Sequence, residues 1–191
     1  MKHANPENST RSAKQAEVIR ELCSALDRVA QDPVLRNEDG LRPWTREVKT
    51  ALCRWGLSQG FYVYAHSIRD RFRDVPKKRR PQYEWLFDVT CLTYRGRYLD
   101  RVPLVAECEW GNEDDIYDDF EKLLVARAEI RVMIFDADQL DSEVKFRKFE
   151  KYVRRCTWTQ PEDTYLLAAY TQDRDGFDYR LIEGGKLSRL P

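Results

Sequence analysis

The chain has 191 residues, with 33 basic and 33 acidic side chains and a hydrophobic content of 42%. This apolar content excludes a globally disordered protein, and the length fits one domain. We find no apolar run of the roughly 18–20 residues that span a membrane, and no secretory signal at the amino terminus. Five scattered cysteines without a CxxC pair argue against a disulfide framework and a zinc ribbon. We therefore expect a reduced, cytoplasmic protein.

The first third of the chain is predicted to be mostly helical. Residues 1–14 are expected to form a disordered tail, ahead of a single domain over residues 15–191. A helix is predicted over residues 13–30 from apolar residues at helical spacing. A polar connector then runs to Pro43, and Thr45 is expected to cap a second helix that closes near residues 56–60.

The middle of the chain is predicted to form a sheet. The predicted strands cover residues 61–65, 83–92 and 102–110, because aromatic, β-branched and other apolar residues dominate these segments. A helix with Ile116, Phe120, Leu123 and Leu124 on its apolar stripe follows, and then a buried strand over residues 130–135.

The last third is predicted to add a helix over about residues 142–155 and a hairpin formed by residues 164–171 and 177–182. The C-terminal helix and hairpin thus occupy residues 142–183. Helices flanking a sheet that contains an antiparallel hairpin indicate an α/β or α+β protein rather than a doubly wound parallel one.

Charge is distributed unevenly along the chain. Residues 69–80 contain seven basic and two acidic side chains, whereas residues 107–121 contain eight acidic and no basic ones. A basic loop can hold a phosphate backbone, and a dense acidic segment needs either full solvation or a counter-ion such as a divalent metal. Each run can also be a solvated surface. The basic residues expected to contact nucleic acid are Arg71, Arg73, Lys77, Lys78, Arg79 and Arg80, with the helix that carries Lys145, Arg147, Lys148 and Lys151 as the alternative.

Three carboxylates stand inside predicted strands, where charged residues are usually avoided. Glu107 and Glu109 share one strand face, because residues i and i+2 point the same way. If this strand pairs as a hairpin with the preceding one, Asp88 comes beside the two glutamates. Oxygen ligands of this kind suit Mg²⁺ or Mn²⁺.

The element order α-β-β(Asp)-β(Glu-x-Glu)-α-β, over about residues 44–136, resembles the PD-(D/E)XK nuclease superfamily. The resemblance implies a restriction-endonuclease-like fold, in which a central mixed sheet is flanked by helices and the core order is αβββαβ. It also implies a divalent-metal-dependent nuclease that hydrolyses the phosphodiester bonds of DNA.

The same resemblance implies a set of active-site residues. Asp88 corresponds to the Asp of the motif, Glu107 to its (D/E), and Glu109 to the position that usually holds Lys. On this resemblance the metal ligands would be Asp88, Glu107 and the backbone carbonyl of Cys108. The further acidic residue on the first core helix would be Glu47, and Lys122 would be the polar residue on the helix after the Glu-x-Glu strand.

Two other interpretations remain open at this point. The chain can be a catalytically inactive module of the nuclease fold that binds nucleic acid or a protein partner, because fold does not fix function. It can also present a purely acidic interaction surface, which predicts no response to metal. DNA is the expected partner, a membrane is not, and a homodimer is left open.

Overall fold

The structure is a computed structural model, and it describes residues 6–32, 35, 41–137, 142–171 and 176–190. The helices are α1 (Pro6–Ala30), α2 (Leu41–Ser58), α3 (Glu113–Val125) and α4 (Ser142–Arg155). The strands are β1 (Tyr62–Ala65), β2 (Val89–Arg95), β3 (Tyr98–Glu109), β4 (Ile130–Asp136), β5 (Thr164–Thr171), β6 (Gly176–Glu183) and β7 (Lys186–Arg189). None of the described helices is both long enough and apolar enough to cross a membrane.

The seven strands form one mixed sheet whose spatial order, β1 to β7, is also their order in the chain. The first three strands are antiparallel, β3–β4 and β4–β5 are parallel, and the last three strands are again antiparallel. Each parallel pair is joined across a helix, as a parallel connection requires. The predicted mixed sheet with flanking helices is confirmed.

Two apolar cores lie on the two faces of this sheet. One face packs against α1 and α2 through residues such as Leu22, Leu26 and Leu52. The opposite face packs against α3 and α4, where Phe120 and Phe149 meet with ring centroids 4.2 Å apart. The sheet is therefore buried on both faces in its centre, as expected for strands connected by helices.

Several boundaries differ from those predicted. The helix α1 begins at Pro6, inside the segment expected to be a disordered tail, and residues 1–5 lie outside the described part of the chain. The helix α2 begins at Leu41, so Pro43, predicted to lie in the connector, and Thr45, predicted to cap the helix, both lie inside it. Proline is tolerated in the first turn of a helix, because its missing N–H would have no partner there.

The most consequential difference concerns the strand expected over residues 83–92. The regular strand β2 begins only at Val89, so Asp88 precedes it instead of lying inside it. The segment before it is irregular, with a bridge between Trp85 and Phe87 and a left-handed backbone at Leu86 (φ 67°).

The carboxyl-terminal hairpin is confirmed, and it is longer than predicted. The strands β5 and β6 pair from Thr164 to Thr171, while the turn expected at Asp175 lies partly outside the described residues. An unpredicted strand, β7, follows the turn at Gly184 and Gly185, whose φ values are 55° and 72°. Two successive positive φ angles are typical of a tight hairpin turn, so this glycine pair was the missed signal.

Candidate active site

A cavity of about 470 Å³ lies where the end of β3 meets the start of β2, α2 and α3. We refer to it as the carboxylate cavity. The residues that line it are Thr45, Lys49, Glu84, Leu86, Asp88, Glu107, Cys108, Glu109, Trp110, Gly111, Asp119 and Lys122.

Strand pairing places Asp88 next to Glu107. Val89 lies opposite Ala106 in the antiparallel pair of β2 and β3, so Asp88 reaches the level of Glu107. The backbone N–H of Asp88 donates to Glu107 Oε2 at 3.1 Å, and the backbone N–H of Cys108 donates to Asp88 Oδ2 at 3.0 Å. Backbone N–H groups of the two neighbouring segments thus hold one oxygen of each carboxylate in place.

The Glu107 carboxylate is buried without full compensation. Glu107 is only 3% exposed, and its Oε1 has no hydrogen-bond partner among the described residues. The ammonium of Lys122 lies 3.8 Å from Oε1, which is an ion contact but too long for a hydrogen bond. Burial, followed by the charges of Asp88 and Asp119, raises the pKa of Glu107 from 4.5 to about 8. The group is poised to hold either a proton or a cation.

Asp88 has a cationic partner that the sequence analysis missed. The Lys49 side chain, on α2, forms an ion pair with Asp88 Oδ1 and is only 12% exposed. Burial lowers the pKa of Lys49, but the Asp88 charge and hydrogen bond outweigh burial, so the pKa lies above 10.5. The cavity therefore carries its own positive charge.

The helix α3 supplies a further acid, Asp119, and a second lysine, Lys122. Asn112 caps the helix by accepting from the backbone N–H groups of Asp114 and Asp115, which fixes the start of α3 directly after β3. Two to three turns later, Lys122 Nζ lies 2.5 Å from Asp119 Oδ1. The hydrogen bond that Lys122 donates to Asp119 raises the pKa of Lys122, with a smaller contribution from the charge of Glu107. Lys122 thus reaches the site from a half-exposed position.

Glu109 lines the cavity, but it is bound by its own turn. Its Oε1 accepts from the backbone N–H of Gly111 at 2.5 Å. A Cβ atom on residue 111 would lie 2.7 Å from this oxygen, so glycine permits the close approach. The structure thus brings Asp88, Glu107 and Lys122 together and leaves Glu109 at the rim.

Glu47 is placed elsewhere. Its carboxylate forms an ion pair with Arg71 on the short helix that follows β1, and it does not line the carboxylate cavity. The first core helix therefore contributes Lys49 to the site, two residues later in the sequence. Within the described ranges, no group of three or more His, Cys, Asp or Glu side chains has the arrangement of a metal site.

The predicted basic loop is exposed in part. Arg73, Lys77, Lys78 and Arg79 are exposed, whereas Arg80 donates to the backbone carbonyls of Arg73 and Val75, both at 2.8 Å. Arg71 is paired with Glu47. In the alternative basic helix, Lys148 contacts Glu113 at 2.9 Å, Arg147 contacts Glu143 at 3.2 Å, and Lys145 is buried. The loop therefore keeps more cations available for a ligand than the helix does.

The raised pKa of Glu107 predicts how stability depends on pH. Between about 4.5 and about 8 the folded protein holds a proton that the unfolded chain has released. The stabilisation is complete below pH 4.5 and is lost as the pH rises through 8. We expect Glu107→Gln, measured by denaturant unfolding in EDTA, to be more stable than the wild type above that range.

The size of this effect follows from the pKa difference. Each pKa unit corresponds to about 1.4 kcal/mol, so the free energies of unfolding of the two proteins should diverge by a few kcal/mol. Gln keeps an oxygen that can accept from the N–H of Asp88. Parallel pH profiles for the two proteins would contradict the assignment.

Comparison of the chain with family models, with curated proteins and with solved structures yields no match.

Proposed function

We propose that this chain is a divalent-metal-dependent nuclease that hydrolyses phosphodiester bonds of DNA. The observation that carries the proposal is the buried Oε1 of Glu107, which lacks a hydrogen-bond partner beside Asp88. An uncompensated carboxylate oxygen in an open cavity is the chemistry that a cation satisfies. The order helix, three strands, helix, strand along residues 41–136 is consistent with the PD-(D/E)XK resemblance.

The residues present fit Mg²⁺ or Mn²⁺. Magnesium is usually held by one or two protein carboxylates, while water and substrate phosphate complete its shell, so three clustered acids are not required. Asp88 and Glu107 would hold the ion, and the backbone carbonyl of Cys108 stays a predicted ligand. A bound ion supplies activation of the attacking water and neutralisation of charge on the phosphate.

The side chains around these carboxylates provide the remaining chemistry. Lys49 and Lys122 place two ammonium groups in the cavity, where a scissile phosphate would gain negative charge as water attacks the phosphorus and an ester oxygen leaves.

The second candidate is a non-catalytic module that binds nucleic acid. The ion pairs of Lys49 with Asp88 and of Lys122 with Asp119 favour it, because they neutralise two of the acids without any metal. This candidate predicts no specific response to metal.

Thermal unfolding in EDTA, Mg²⁺ and Mn²⁺ separates the two candidates. A ligand that binds only the folded state raises its melting temperature, so the wild type should melt higher with metal at a pH above 8, where Glu107 is ionised. Glu107→Gln should show no such increase. The control is Glu129→Gln, which alters a surface ion pair with Arg101 outside the cavity.

The result also assigns function. An increase in the wild type and in the control, together with cleavage of plasmid DNA, supports the nuclease. An equal increase in all three proteins means that metal binds elsewhere. No increase and no cleavage would leave the non-catalytic module as the better account.

A further inference from the structure

Exposed apolar side chains are concentrated at one end of the sheet. Nine large hydrophobic residues are exposed in the described part of the chain, and six of them lie between residues 62 and 99. Clusters of this kind on an otherwise charged surface usually mark a binding site. The six residues are Tyr62, Tyr83, Trp85, Leu86, Tyr98 and Leu99.

Two of these residues, Tyr62 and Trp85, form a connected surface with two partly buried tyrosines, Tyr64 and Tyr94. The ring centroids of Tyr62 and Tyr94 lie 5.1 Å apart, and those of Tyr64 and Trp85 lie 6.5 Å apart. The hydroxyl groups of Tyr64 and Tyr94 are 3.2 Å apart and join the two pairs. We call these four residues, together with the exposed Tyr83 two positions before Trp85, the aromatic surface.

This surface lies on the same face of the sheet as the carboxylate of Glu107. Val63, between the two tyrosines of β1, is buried in the core formed with α1 and α2, so Tyr62 and Tyr64 point to the opposite face. Tyr64 lies opposite Thr90, and Thr90 lies opposite Val105, which is in the core formed with α3 and α4. Glu107 follows Val105 by two residues on the same strand face.

The segment before β2 connects the aromatic surface with the carboxylate cavity. Tyr83 and Trp85 belong to the aromatic surface, whereas Glu84, Leu86 and Asp88 line the cavity. Leu86 is 72% exposed and has a positive φ, a combination that is unfavourable for a leucine in both respects. Strained residues of this kind persist mainly at binding and active sites.

Positive charge predominates in the stretch of chain that carries most of the aromatic surface. Residues 69–101 contain ten Lys and Arg but only five Asp and Glu side chains. Arg69 lies over the ring of Tyr83 at 5.6 Å, and Arg97 lies over the ring of Tyr98 at 5.2 Å. Four of the five acids are in ion pairs: Asp70 with Arg46, Asp74 with Arg54, Asp88 with Lys49 and Asp100 with Arg95.

We propose that the aromatic surface binds single-stranded DNA by stacking on unpaired bases, and that Leu86 lies where this strand enters the carboxylate cavity. Aromatic rings combined with cations are the features that hold single strands, because every base has a face on which a ring can stack. The bases of a duplex are stacked on one another and do not offer these faces. The excess of cations disfavours a second copy of this chain as the occupant.

The binding itself is independent of catalysis, and only the delivery of the strand to the cavity rests on the proposed function. Binding is therefore measured in EDTA by fluorescence anisotropy, with a labelled oligothymidylate and with a duplex of the same length. We expect the wild type to prefer the single strand. We expect the double variant Tyr62→Ala, Trp85→Ala to bind it at least about tenfold more weakly, since each lost stacking contact weakens single-strand binding measurably.

Matched variants give the controls. Trp158 is 70% exposed after α4, outside the aromatic surface, so Trp158→Ala should bind the single strand as the wild type does. Trp85→Phe keeps an aromatic face and should retain most of the affinity. Tyr83→Ala, at a 72% exposed position, provides a second loss variant that leaves the core untouched. Circular dichroism verifies that every variant is folded.

The remaining outcomes are distinguishable. Unchanged binding in the folded loss variants would overturn the inference, even if the wild type cleaves DNA. A wild-type dimer in light scattering that these variants dissociate, without single-strand binding, would identify the surface as a protein interface and also overturn it. Single-strand binding that the variants lose, in a protein that cleaves nothing, would support the inference and refute the nuclease.

Discussion

Glu107→Gln is expected to abolish metal-dependent cleavage of DNA, with a loss of at least about a hundredfold. The substitution removes the one buried carboxylate oxygen that has no hydrogen-bond partner in the described structure, and it removes the negative charge that would attract a cation. Loss of a residue that merely orients a metal ligand typically costs about 10- to 100-fold in metal affinity or activity, so loss of a ligand should cost at least the upper end of that range. The measurement is the initial rate of plasmid nicking in Mg²⁺ and in Mn²⁺.

Stability measurements on the same variants distinguish a loss of catalysis from a loss of folding. Glu107→Gln should be at least as stable as the wild type at a pH above 8, so an inactive variant cannot be dismissed as unfolded. Glu129→Gln, at a surface ion pair, should cleave normally. Full activity of Glu107→Gln would refute the site assignment.

Lys49→Met is expected to impair both stability and cleavage. Asp88 would lose its ion-pair partner while it remains largely shielded from water, and breaking a buried pair on one side is costly. Because Lys49 and Asp88 retain some exposure, we expect a loss of about 1–3 kcal/mol in the free energy of unfolding, less than for a fully buried pair. Cleavage should fall because an ammonium group leaves the cavity.

Lys122→Met is the matched comparison. Lys122 is 54% exposed, and exposed ion pairs contribute little, so its loss should change stability by less than about 1 kcal/mol. Denaturant unfolding and plasmid nicking are measured for both variants. If Lys49→Met cleaves normally and Lys122→Met does not, the lysine that acts on the phosphate is the one on α3.

The pair of Asp88 and Glu107 was predictable, whereas the ion pair of Asp88 with Lys49 was not. Alternation along a strand and the short connection between β2 and β3 placed the two acids together. It was harder to predict which residue of the first core helix faces the site. Residues two positions apart on a helix are rotated by about 200°, so Glu47 and Lys49 face different ways. No periodicity in the sequence distinguishes them, since both are polar.

The effect of the clustered acids on stability also could not be predicted without the structure. Clustered like charges repel, so the sequence alone predicts that removing one of these acids is neutral or stabilising in the metal-free protein. The ion pair with Lys49 and the hydrogen bond from Cys108 make this prediction inapplicable to Asp88, and it remains for Glu107. Lys122 lies off the apolar stripe of its helix, but its long side chain still reaches Glu107.

Because the strand order in the sheet follows the chain order, the carboxylate cavity and the far end of the sheet are built from different parts of the chain. Every residue that lines the carboxylate cavity in the described ranges lies between Thr45 and Lys122. The strands β5–β7, at the other end of the sheet, contribute no side chain to that lining. Their outer edge, β7, has no further strand beside it among the described residues. A tether or a fused module can therefore be attached at that distant edge without disturbing the carboxylate cavity.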